Sequence, residues 1–329
     1  MIDYVRENTD IVELFGLPRG FLLNDISGLP QGREEHVLDG DRIAYSRWIE
    51  TPRGRIDQVV DYSRAQRLSM VRKPWVETRD DLEKVLSIPE RSVRPDLSAY
   101  RERRASIGER GICLPEIPCA ASFVHELLDT EGLALWSREE RGTVLELLDR
   151  FNARLMAYVR YLLEHGVGPV LALLGEEYIT PPLHSPLDFQ EFVVAYDKPI
   201  VEAIHEYGVI CRIHCHGRIG RLLDGFLDIG VDALHPVEEP PMGDLTLQSF
   251  RKRAGNRICI KGGVQIGDLY EKNAAEVAAH CRGVIERAGR CGALILAPSA
   301  SPYWPELTPA MFDNYRAMID SVHECEVSR

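Results

Sequence analysis

Short apolar runs alternate with amphipathic segments along most of the chain. Apolar residues at helical spacing predict helices, and the short runs between them predict strands. The predicted helices cover residues 137–163, 187–207, 219–229, 246–254, 274–288 and 309–322. The predicted strands cover residues 112–114, 170–174, 209–214, 232–235, 257–261 and 293–297. Because strands that alternate with helices form parallel sheets, this repetition favours an α/β fold of the (β/α)8 TIM barrel class.

The N-terminal third of the chain lacks this regular alternation. A strand fragment is predicted at 56–60 and a helix at 80–86. We interpret residues 1–110 as an N-terminal elaboration that leads into the first barrel strands, and residues 111–329 as the main β/α repeats. Since no low-complexity linker divides the chain, we predict a single domain over residues 1–329.

The composition is that of an ordinary globular chain. Of its 329 residues, 45% are hydrophobic and 27% are charged, which is enough to bury a large core. The formal net charge of −12 argues against nucleic acid as a partner, because such binding rests on neutralising phosphates. No apolar run approaches the roughly 20 residues that cross a bilayer, and the pattern of a secretory leader is missing, so we expect a cytoplasmic protein and no membrane partner. Eight cysteines without paired spacing predict reduced thiols.

The segment His214-Cys215-His216-Gly217 closes one of the predicted strands. Side chains two residues apart leave a strand on the same side, so His214 and His216 are expected to face one place. The alternation of the strand puts Arg212 on the same polar face, which we expect at the mouth of the barrel, and the cysteines on the opposite, apolar face. Imidazole binds zinc and other transition metals, which makes this segment a candidate metal site.

Residues that follow the neighbouring strands add carboxylates to this site. In a β/α barrel, the carboxyl ends of the strands form the active-site face. Glu177 follows one neighbouring strand and Glu239 the other, so we expect them to flank the histidines. Two histidines, one or two carboxylates and an open position describe a catalytic zinc site. We predict His214, His216, Glu177 and Glu239 as metal ligands, and Glu177, Glu239 and Tyr178 as catalytic residues.

Several residues at these strand ends have an alternative interpretation. We assign Gly262 and Gly263 to cofactor binding, where they would permit close backbone approach, although they could instead form a tight turn. Glu238 or Glu239 could hydrogen-bond a histidine or cap the following helix. The two histidines could be hydrogen-bonded packing without a metal. We place His235 in the core or in a loop.

The strand ends resemble those of the uroporphyrinogen decarboxylase superfamily, in particular its branch of cobalamin-dependent methyltransferases. The similarity covers roughly residues 50 to 325. It is clearest in His214-Cys215-His216-Gly217, Gly230-Val231-Asp232-Ala233-Leu234, Gly255-Asn256-Arg257-Ile258, Lys261-Gly262-Gly263 and Leu296-Ala297-Pro298. The resemblance implies a β/α barrel. For the methyltransferases it also implies zinc, held by a His-x-Cys-Gly segment and a late cysteine, which activates an acceptor toward methylcobalamin.

The chain departs from that pattern at two positions. His216 stands where the resemblance implies a cysteine, and the late cysteine is replaced near Ser299 or Ala300. Nitrogen and oxygen ligands leave a metal more electrophilic, which favours O-demethylation of a substrate over transfer to a free thiol. We therefore predict a zinc-dependent methyltransferase that moves a methyl group between a small, methoxylated substrate and a corrinoid.

The corrinoid is expected on a separate partner protein, because the chain lacks the Asp-x-His-x-x-Gly signature of a corrinoid-binding domain. A uroporphyrinogen decarboxylase-like carboxy-lyase is the alternative enzyme, although the Met-Arg-Gln-Ala-Gly-Arg segment implied for it is missing. A third alternative is a barrel that binds a corrinoid or small molecule without catalysis. A homodimer is a possible assembly.

Overall fold

The computed structural model describes residues 2–289, 292–303 and 306–325. Contacts along the chain divide it into two compact units. The barrel unit takes in the described residues of Met1–Leu17, Asp96–Pro118 and Leu162–Arg329, and the sheet unit consists of Pro18–Pro95 and Cys119–Tyr161. The single domain expected from the sequence stays a prediction.

Strands and helices follow one another in this order along the described residues. The strands are β1 (Ile11–Gly16), β2 (Gln31–Val37), β3 (Arg42–Thr51), β4 (Gly54–Ser63), β5 (Leu68–Lys73), β6 (Gly111–Pro118), β7 (Val170–Leu174), β8 (Ile210–His214), β9 (Ala233–Val237), β10 (Cys259–Val264) and β11 (Leu294–Pro298). The α-helices are α1 (Ile2–Asn8), α2 (Arg79–Leu86), α3 (Ser98–Ile107), α4 (Ala120–Glu139), α5 (Arg141–Glu164), α6 (Pro186–Phe189), α7 (Ala195–Glu206), α8 (Leu223–Ile229), α9 (Leu247–Ala254), α10 (Asp268–Glu271), α11 (Ala274–Val284) and α12 (Pro309–Glu324). Short 3-10 helices lie at Gly108–Arg110 and Glu176–Ile179, and π-helical turns at Gln190–Val194 and Ile285–Gly289.

The barrel unit contains a parallel sheet in the order β1-β6-β7-β8-β9-β10-β11. The spatial order equals the chain order, and helices connect each strand to the next from β6 onward. This is the repeat that the sequence predicts, so the TIM-barrel class is confirmed, with seven parallel strands in the described residues. In the pairing of β8 with β9, His214 lies beside His235.

The starts of two predicted helices are wrong. The helix predicted over 219–229 begins at Leu223, as α8. The sequence predicts a helix over 137–163, but Ser137 lies in the last turn of α4, where its Oγ donates to the carbonyl of Ala134. Helix α5 begins at Arg141 instead, after Glu140 leaves the helical conformation. The apolar spacing continues across this break, and therefore the pattern alone does not reveal it. The helix predicted over 187–207 is confirmed as α6, a π-helical turn and α7 in direct succession.

The sheet unit contains an antiparallel sheet in the order β2-β3-β4-β5. A tight turn joins β3 to β4, where Thr51 Oγ1 donates to the carbonyl of Gly54 at 2.7 Å. Helix α2 starts at a capping box in which Thr78 Oγ1 accepts from the backbone N–H of Asp81. The predicted strand fragment and helix are thus confirmed, as is the N-terminal elaboration. Strand β1 from the same region joins the parallel sheet beside β6.

Apolar side chains fill the space between the parallel sheet and its helices. Val264 of β10, Val277 and Cys281 of α11, and Ile319 of α12 belong to one buried cluster. Each fully buried aliphatic side chain stabilises the fold by about 1.5 to 3 kcal/mol. The cysteines in the described ranges are free thiols, as the sequence predicts, and Cys291 lies outside those ranges. Among the described helices, none combines the length and the apolar character that a bilayer crossing requires.

Candidate active site

A cavity of about 540 Å³ lies in the barrel unit. Each of the seven parallel strands contributes to its lining, with Val12, Glu116, Leu174, His214, His235, Lys261 and Ala297 as examples in chain order. The lining also includes His216 and the segment Ser299 to Pro302, which follow strands, and Tyr315 of α12. Because the active site of a β/α barrel lies where the carboxyl ends of its strands converge, this cavity is the candidate active site.

Strand β8 supplies the polar face that its sequence predicts. Arg212 and His214 line the cavity, and His216 follows them just beyond the end of the strand. The rings of His214 and His216 lie with their centroids 4.8 Å apart. The alternating residues Cys211 and Ile213 are fully buried on the other face of the strand.

His235 joins this pair. It is buried, as the interpretation that placed it in the core or in a loop allows, and it also lines the cavity. Its Nδ1 lies 2.9 Å from Nδ1 of His214, so one ring must donate a hydrogen to the other. Nε2 of His235 lies 3.4 Å from the carbonyl oxygen of Pro298, which only a protonated nitrogen can contact favourably. A neutral His235 protonated at Nε2 accepts at Nδ1. His214 then donates from Nδ1 and keeps its lone pair on Nε2.

Burial keeps both of these rings neutral. The pKa of His214 is lowered to about 3, chiefly by burial, and the positive charges of Arg212 and Lys261 add to the effect. The pKa of His235 is lowered to about 2 by the same causes, with burial again the largest. A neutral imidazole is the form that binds a metal or accepts a proton, so His214 is chemically competent near neutral pH.

His216 is held by a carboxylate that the sequence left as one of two alternatives. Glu238 Oε2 accepts from His216 Nδ1 at 3.2 Å and from the backbone N–H of Gly217 at 3.3 Å. This hydrogen bond is the main reason why the pKa of His216 is raised. Glu177 also lies near His216, and its Oε2 is buried with no hydrogen-bond partner among the described residues. Burial raises the pKa of Glu177.

Glu239 and Tyr178 lie elsewhere. Glu239 accepts from the backbone N–H of Leu247 at the start of α9 and from Arg287 Nη2, both at 3.0 Å. This is the helix-capping alternative that the sequence allowed for one of the two glutamates. Tyr178 is half-buried in the 3-10 helix after β7. Neither residue is among the described residues that line the cavity.

Gly262 and Gly263 have a packing role in β10. Gly262 has a φ of 138°, and a Cβ there would lie 3.2 Å from the backbone nitrogen of Val237 in β9. Gly263 has a φ of 90°, and a Cβ there would lie 2.6 Å from Cγ1 of Val284 in α11. Both glycines let β10 approach its neighbours closely, and the described cavity lining does not include them.

We predict that Gly263→Ala lowers the free energy of unfolding by about 2 kcal/mol or more. The substitution forces an L-residue into a left-handed conformation and pushes its methyl group into Val284. Urea denaturation of the two proteins measures the difference. Gly267→Ala is the matched control, because a Cβ there meets no atom within 4 Å. Equal loss of stability in both variants would contradict the proposed packing role.

Two cations in the cavity were not assigned a role from the sequence. Arg212 is only 3% exposed, and its Nη2 donates to Glu116 Oε1 at 2.6 Å. Lys261 lies in the same lining, and burial together with Arg212 lowers its pKa to about 8. Since Glu116 offsets one of the two charges, the cavity carries a net positive charge at neutral pH. The sequence feature that could have identified these two cations is the presence of a charged residue inside an otherwise apolar strand.

A pair of buried carboxyl groups lies after β7. Glu176 is 0% exposed and Asp197, on α7, is 1% exposed. Burial and the neighbouring carboxyl raise the pKa of Glu176, and burial raises that of Asp197 to about 7. At neutral pH the pair therefore holds a proton.

The histidines fit a zinc ion by donor type. His214 is neutral, Glu238 orients His216 as carboxylates commonly orient metal-bound imidazoles, and the unpaired Oε2 of Glu177 offers an oxygen ligand. The distances between these ligand atoms fit a single zinc ion less closely. Among the described residues, no three ligand atoms that include those of both histidines all lie within 4.8 Å of one another. Side-chain rotation would have to bring them onto one ion.

The similarity to known proteins agrees with this architecture. A family model described as uroporphyrinogen decarboxylase matches residues 57–325. The chain belongs to the uroporphyrinogen decarboxylase family. The resemblance found in the sequence is thereby confirmed at the level of the family. The departures from the methyltransferase pattern lie at His216 and near Ser299 or Ala300.

Two known proteins resemble this member of the uroporphyrinogen decarboxylase family, one in sequence and one in structure. Uroporphyrinogen decarboxylase 2, chloroplastic, of Arabidopsis thaliana is 27% identical over 146 residues, which are 44% of this chain. The match spans only 34% of that relative. A methyltransferase from Methanosarcina mazei has a similar structure, with a TM-score of 0.58 and 17% identity, over 79% of this chain and 73% of that one. The second comparison shows a common fold.

Proposed function

We propose that this chain is a methyltransferase that moves a methyl group between a small methoxylated substrate and a corrinoid carried by a separate protein. The observation that carries the proposal is the grouping of His214, His216 and His235 in a cavity lined by all seven parallel strands. The structural similarity to a methyltransferase supports methyl transfer, and the nitrogen-rich site supports an oxygen-bound methyl group.

In this proposal, His214 and His216 hold a zinc ion together with Glu177. We choose Glu177 over Glu239 because the latter is engaged at α9 by Leu247 and Arg287. A zinc ion there would act as a Lewis acid on the methoxy oxygen of the substrate. His235 sets the tautomer of His214, and Glu238 orients His216.

The cationic residues of the cavity bind the substrate and supply a proton to it. Arg212 and Lys261 favour a substrate that carries a carboxylate, such as a methoxybenzoate. During transfer the C–O bond of the methoxy group breaks, the methyl group passes to the cobalt(I) centre of the corrinoid, and the phenolate oxygen takes up a proton. Lys261, with its pKa of about 8, holds a proton at neutral pH and can supply it.

The test combines metal analysis with a transfer assay. Protein purified without added metal is expected to contain one equivalent of zinc and to form methylcobalamin from cob(I)alamin and 2-methoxybenzoate. We predict that His214→Ala loses the metal and lowers the rate of transfer by about 100-fold or more, because a catalytic ligand is removed. His323→Ala, whose imidazole contacts the carbonyl of Asn8, is the control and should keep both.

Full metal content or full activity in His214→Ala would overturn the zinc assignment. The control must be folded and active for this comparison, and the unfolding temperature of each variant checks that. Activity without any metal would mean that the histidines act as hydrogen-bonding or proton-transfer groups.

A decarboxylase-like reaction is the second candidate. It is favoured by the net positive charge that Arg212 and Lys261 give to the cavity, since a substrate carboxylate would bind there. Release of carbon dioxide from uroporphyrinogen by metal-free protein would support it over methyl transfer. If the protein binds cobalamin and turns over neither substrate, the non-catalytic binding role is favoured instead.

Location, assembly and the absence of a nucleic-acid partner are further parts of this proposal. A cytoplasmic location, a homodimer and the lack of a nucleic-acid partner are predictions from the sequence, the last from the net charge of −12. Fractionation of the source cells and sedimentation of the purified protein would test the first two.

A further inference from the structure

A second cavity, of about 690 Å³, lies in the sheet unit. All of its lining residues belong to that unit, so it is separate from the site described above. The side chains that define its chemistry are Arg19, Phe21, Arg33, Arg47, Trp48 and Trp75. We call it the arginine-tryptophan cavity. Its volume is within the range of about 300 to 1,000 Å³ that is usual for small-molecule sites.

The arginines of this cavity are incompletely neutralised. Arg19 forms an ion pair with Glu126 at 3.0 Å. Arg47 donates to Gln58, which is uncharged, and Arg33 lies over the ring of Tyr45 at 3.7 Å. Within the described ranges, neither Arg33 nor Arg47 has a carboxylate oxygen within 4.0 Å.

The acidic residues of the lining are already engaged. Glu126 pairs with Arg19, and Asp25 accepts from the backbone N–H of Ser27 at 2.9 Å. Burial lowers the pKa of Arg47, the charge of Glu126 partly offsets this, and the neighbouring charges of Arg33 and Arg19 lower it further. The guanidinium groups therefore repel one another, and an anion placed between them would relieve this repulsion.

Aromatic rings form part of the wall. Trp75 is 5% exposed and packs edge-to-face on Phe21, with ring centroids 5.2 Å apart. The guanidinium of Arg47 lies 5.6 Å from the indole centroid of Trp75. Nε1 of Trp75 is buried without a hydrogen-bond partner among the described residues, which is unusual for an indole.

Trp48 forms another part of the wall, in β3. Gly32 of the paired strand β2 lets the backbone lie directly against this indole, because a Cβ at that position would lie 2.7 Å from the ring. The cavity thus offers flat apolar surfaces beside uncompensated guanidinium groups. A ligand that matches both must be planar on one part and anionic on another.

We propose that the arginine-tryptophan cavity binds a small aromatic carboxylate. The planar guanidinium fork of Arg33 or Arg47 matches the two oxygens of a carboxylate, and such charge-assisted hydrogen bonds are stronger than neutral ones. The aromatic ring of the ligand packs on Trp48 and Trp75. A cationic ligand is excluded by the arginines, and a purely apolar one would leave them unneutralised.

The experiment uses the full chain and 2-naphthoate as the probe, with binding followed by titration calorimetry. Wild-type protein is expected to bind one equivalent at the arginine-tryptophan cavity. Arg47→Gln and Arg33→Gln should each weaken binding by about tenfold or more, because each removes one charged hydrogen-bond donor. The uncharged 2-naphthamide should bind at least about tenfold more weakly than 2-naphthoate for the same reason.

A matched control separates this role from general loss of charge. Arg55 lies over the ring of the same Trp48 at 4.4 Å, but it pairs with Glu50 and is not part of the described lining. Arg55→Gln should therefore bind 2-naphthoate as the wild type does. Arg33 is exposed, so its replacement should leave the fold intact, which the unfolding temperature checks.

Three results would overturn the proposal. They are unchanged affinity in both Arg33→Gln and Arg47→Gln, equal affinity for 2-naphthamide, and lack of binding at millimolar 2-naphthoate. Lys261→Met, in the barrel unit, distinguishes the two sites, because Lys261 is a cation proposed to favour a carboxylate there. If that variant alone loses 2-naphthoate, the probe binds in the barrel cavity and the arginine-tryptophan cavity is not its site.

Discussion

Glu116→Leu is expected to lower the free energy of unfolding by about 3 to 5 kcal/mol. The substitution leaves the guanidinium of Arg212, which is 3% exposed, without the carboxylate that accepts from its Nη2 at 2.6 Å. Nε of Arg212 already lacks a partner among the described residues, so the loss of Glu116 would leave a further nitrogen of the buried guanidinium unpaired. Equilibrium urea unfolding at neutral pH measures the loss.

The double variant Glu116→Leu/Arg212→Met should recover much of that stability. Replacement of both partners by apolar side chains removes the buried charge together with its counter-ion, which is often neutral or stabilising. Asp224→Ala breaks the exposed pair with Arg253, and this control should cost no more than about 1 kcal/mol. If Glu116→Leu costs no more than the control, the guanidinium is solvated through the cavity and the buried-pair interpretation fails.

Asp197→Asn is expected to make the protein more stable above neutral pH, by roughly 3 to 4 kcal/mol. The pKa of Asp197 is raised from 3.8 to about 7 in the folded protein, because the carboxyl group is 1% exposed. Between these values the folded state holds a proton that the unfolded state has released. Stability therefore falls as the pH rises from about 4 to about 7, and the neutral amide removes that loss.

The measurement is the free energy of unfolding at pH 5 and at pH 8 for both proteins. The wild type should lose stability between these values, and Asp197→Asn should lose less, although Glu176 still contributes a raised pKa. Asp228→Asn is the control, because Asp228 is exposed beside Lys198 and its pKa is lowered. That variant should keep the slope of the wild type between pH 5 and pH 8. An unchanged slope in Asp197→Asn would mean that Asp197 is ionised in the folded protein.

The residues of β8 explain why part of the site could be predicted. Alternation of side chains along a strand is a local property, so the sequence alone assigns Arg212 and His214 to one face and Cys211 to the other. The structure has the same arrangement, with the polar face in the cavity. The family resemblance rested on the same segments and is confirmed by the match over residues 57–325.

The contacts of His235 and Glu239 could not be predicted from local sequence patterns. The contact of His235 with His214 depends on the register between β8 and β9, which pairs these two residues. A usable signal existed, because both histidines end predicted strands. The conformation of the loop after β9 decides which of the two adjacent glutamates points toward His216. A shift of one residue in that loop would exchange their positions. Glu238 took that position, and Glu239 caps α9.

The sequence by itself determined the β/α repeat, the family and the polar face that carries His214 and His216, since periodicity and short motifs are local. Only the tertiary structure decided that Glu116, Lys261 and His235 share a cavity with them. These residues come from strands far apart in the chain, and their proximity depends on strand register and burial. The same holds for the charge of the cavity, because pKa values follow from neighbours and desolvation that no local pattern encodes.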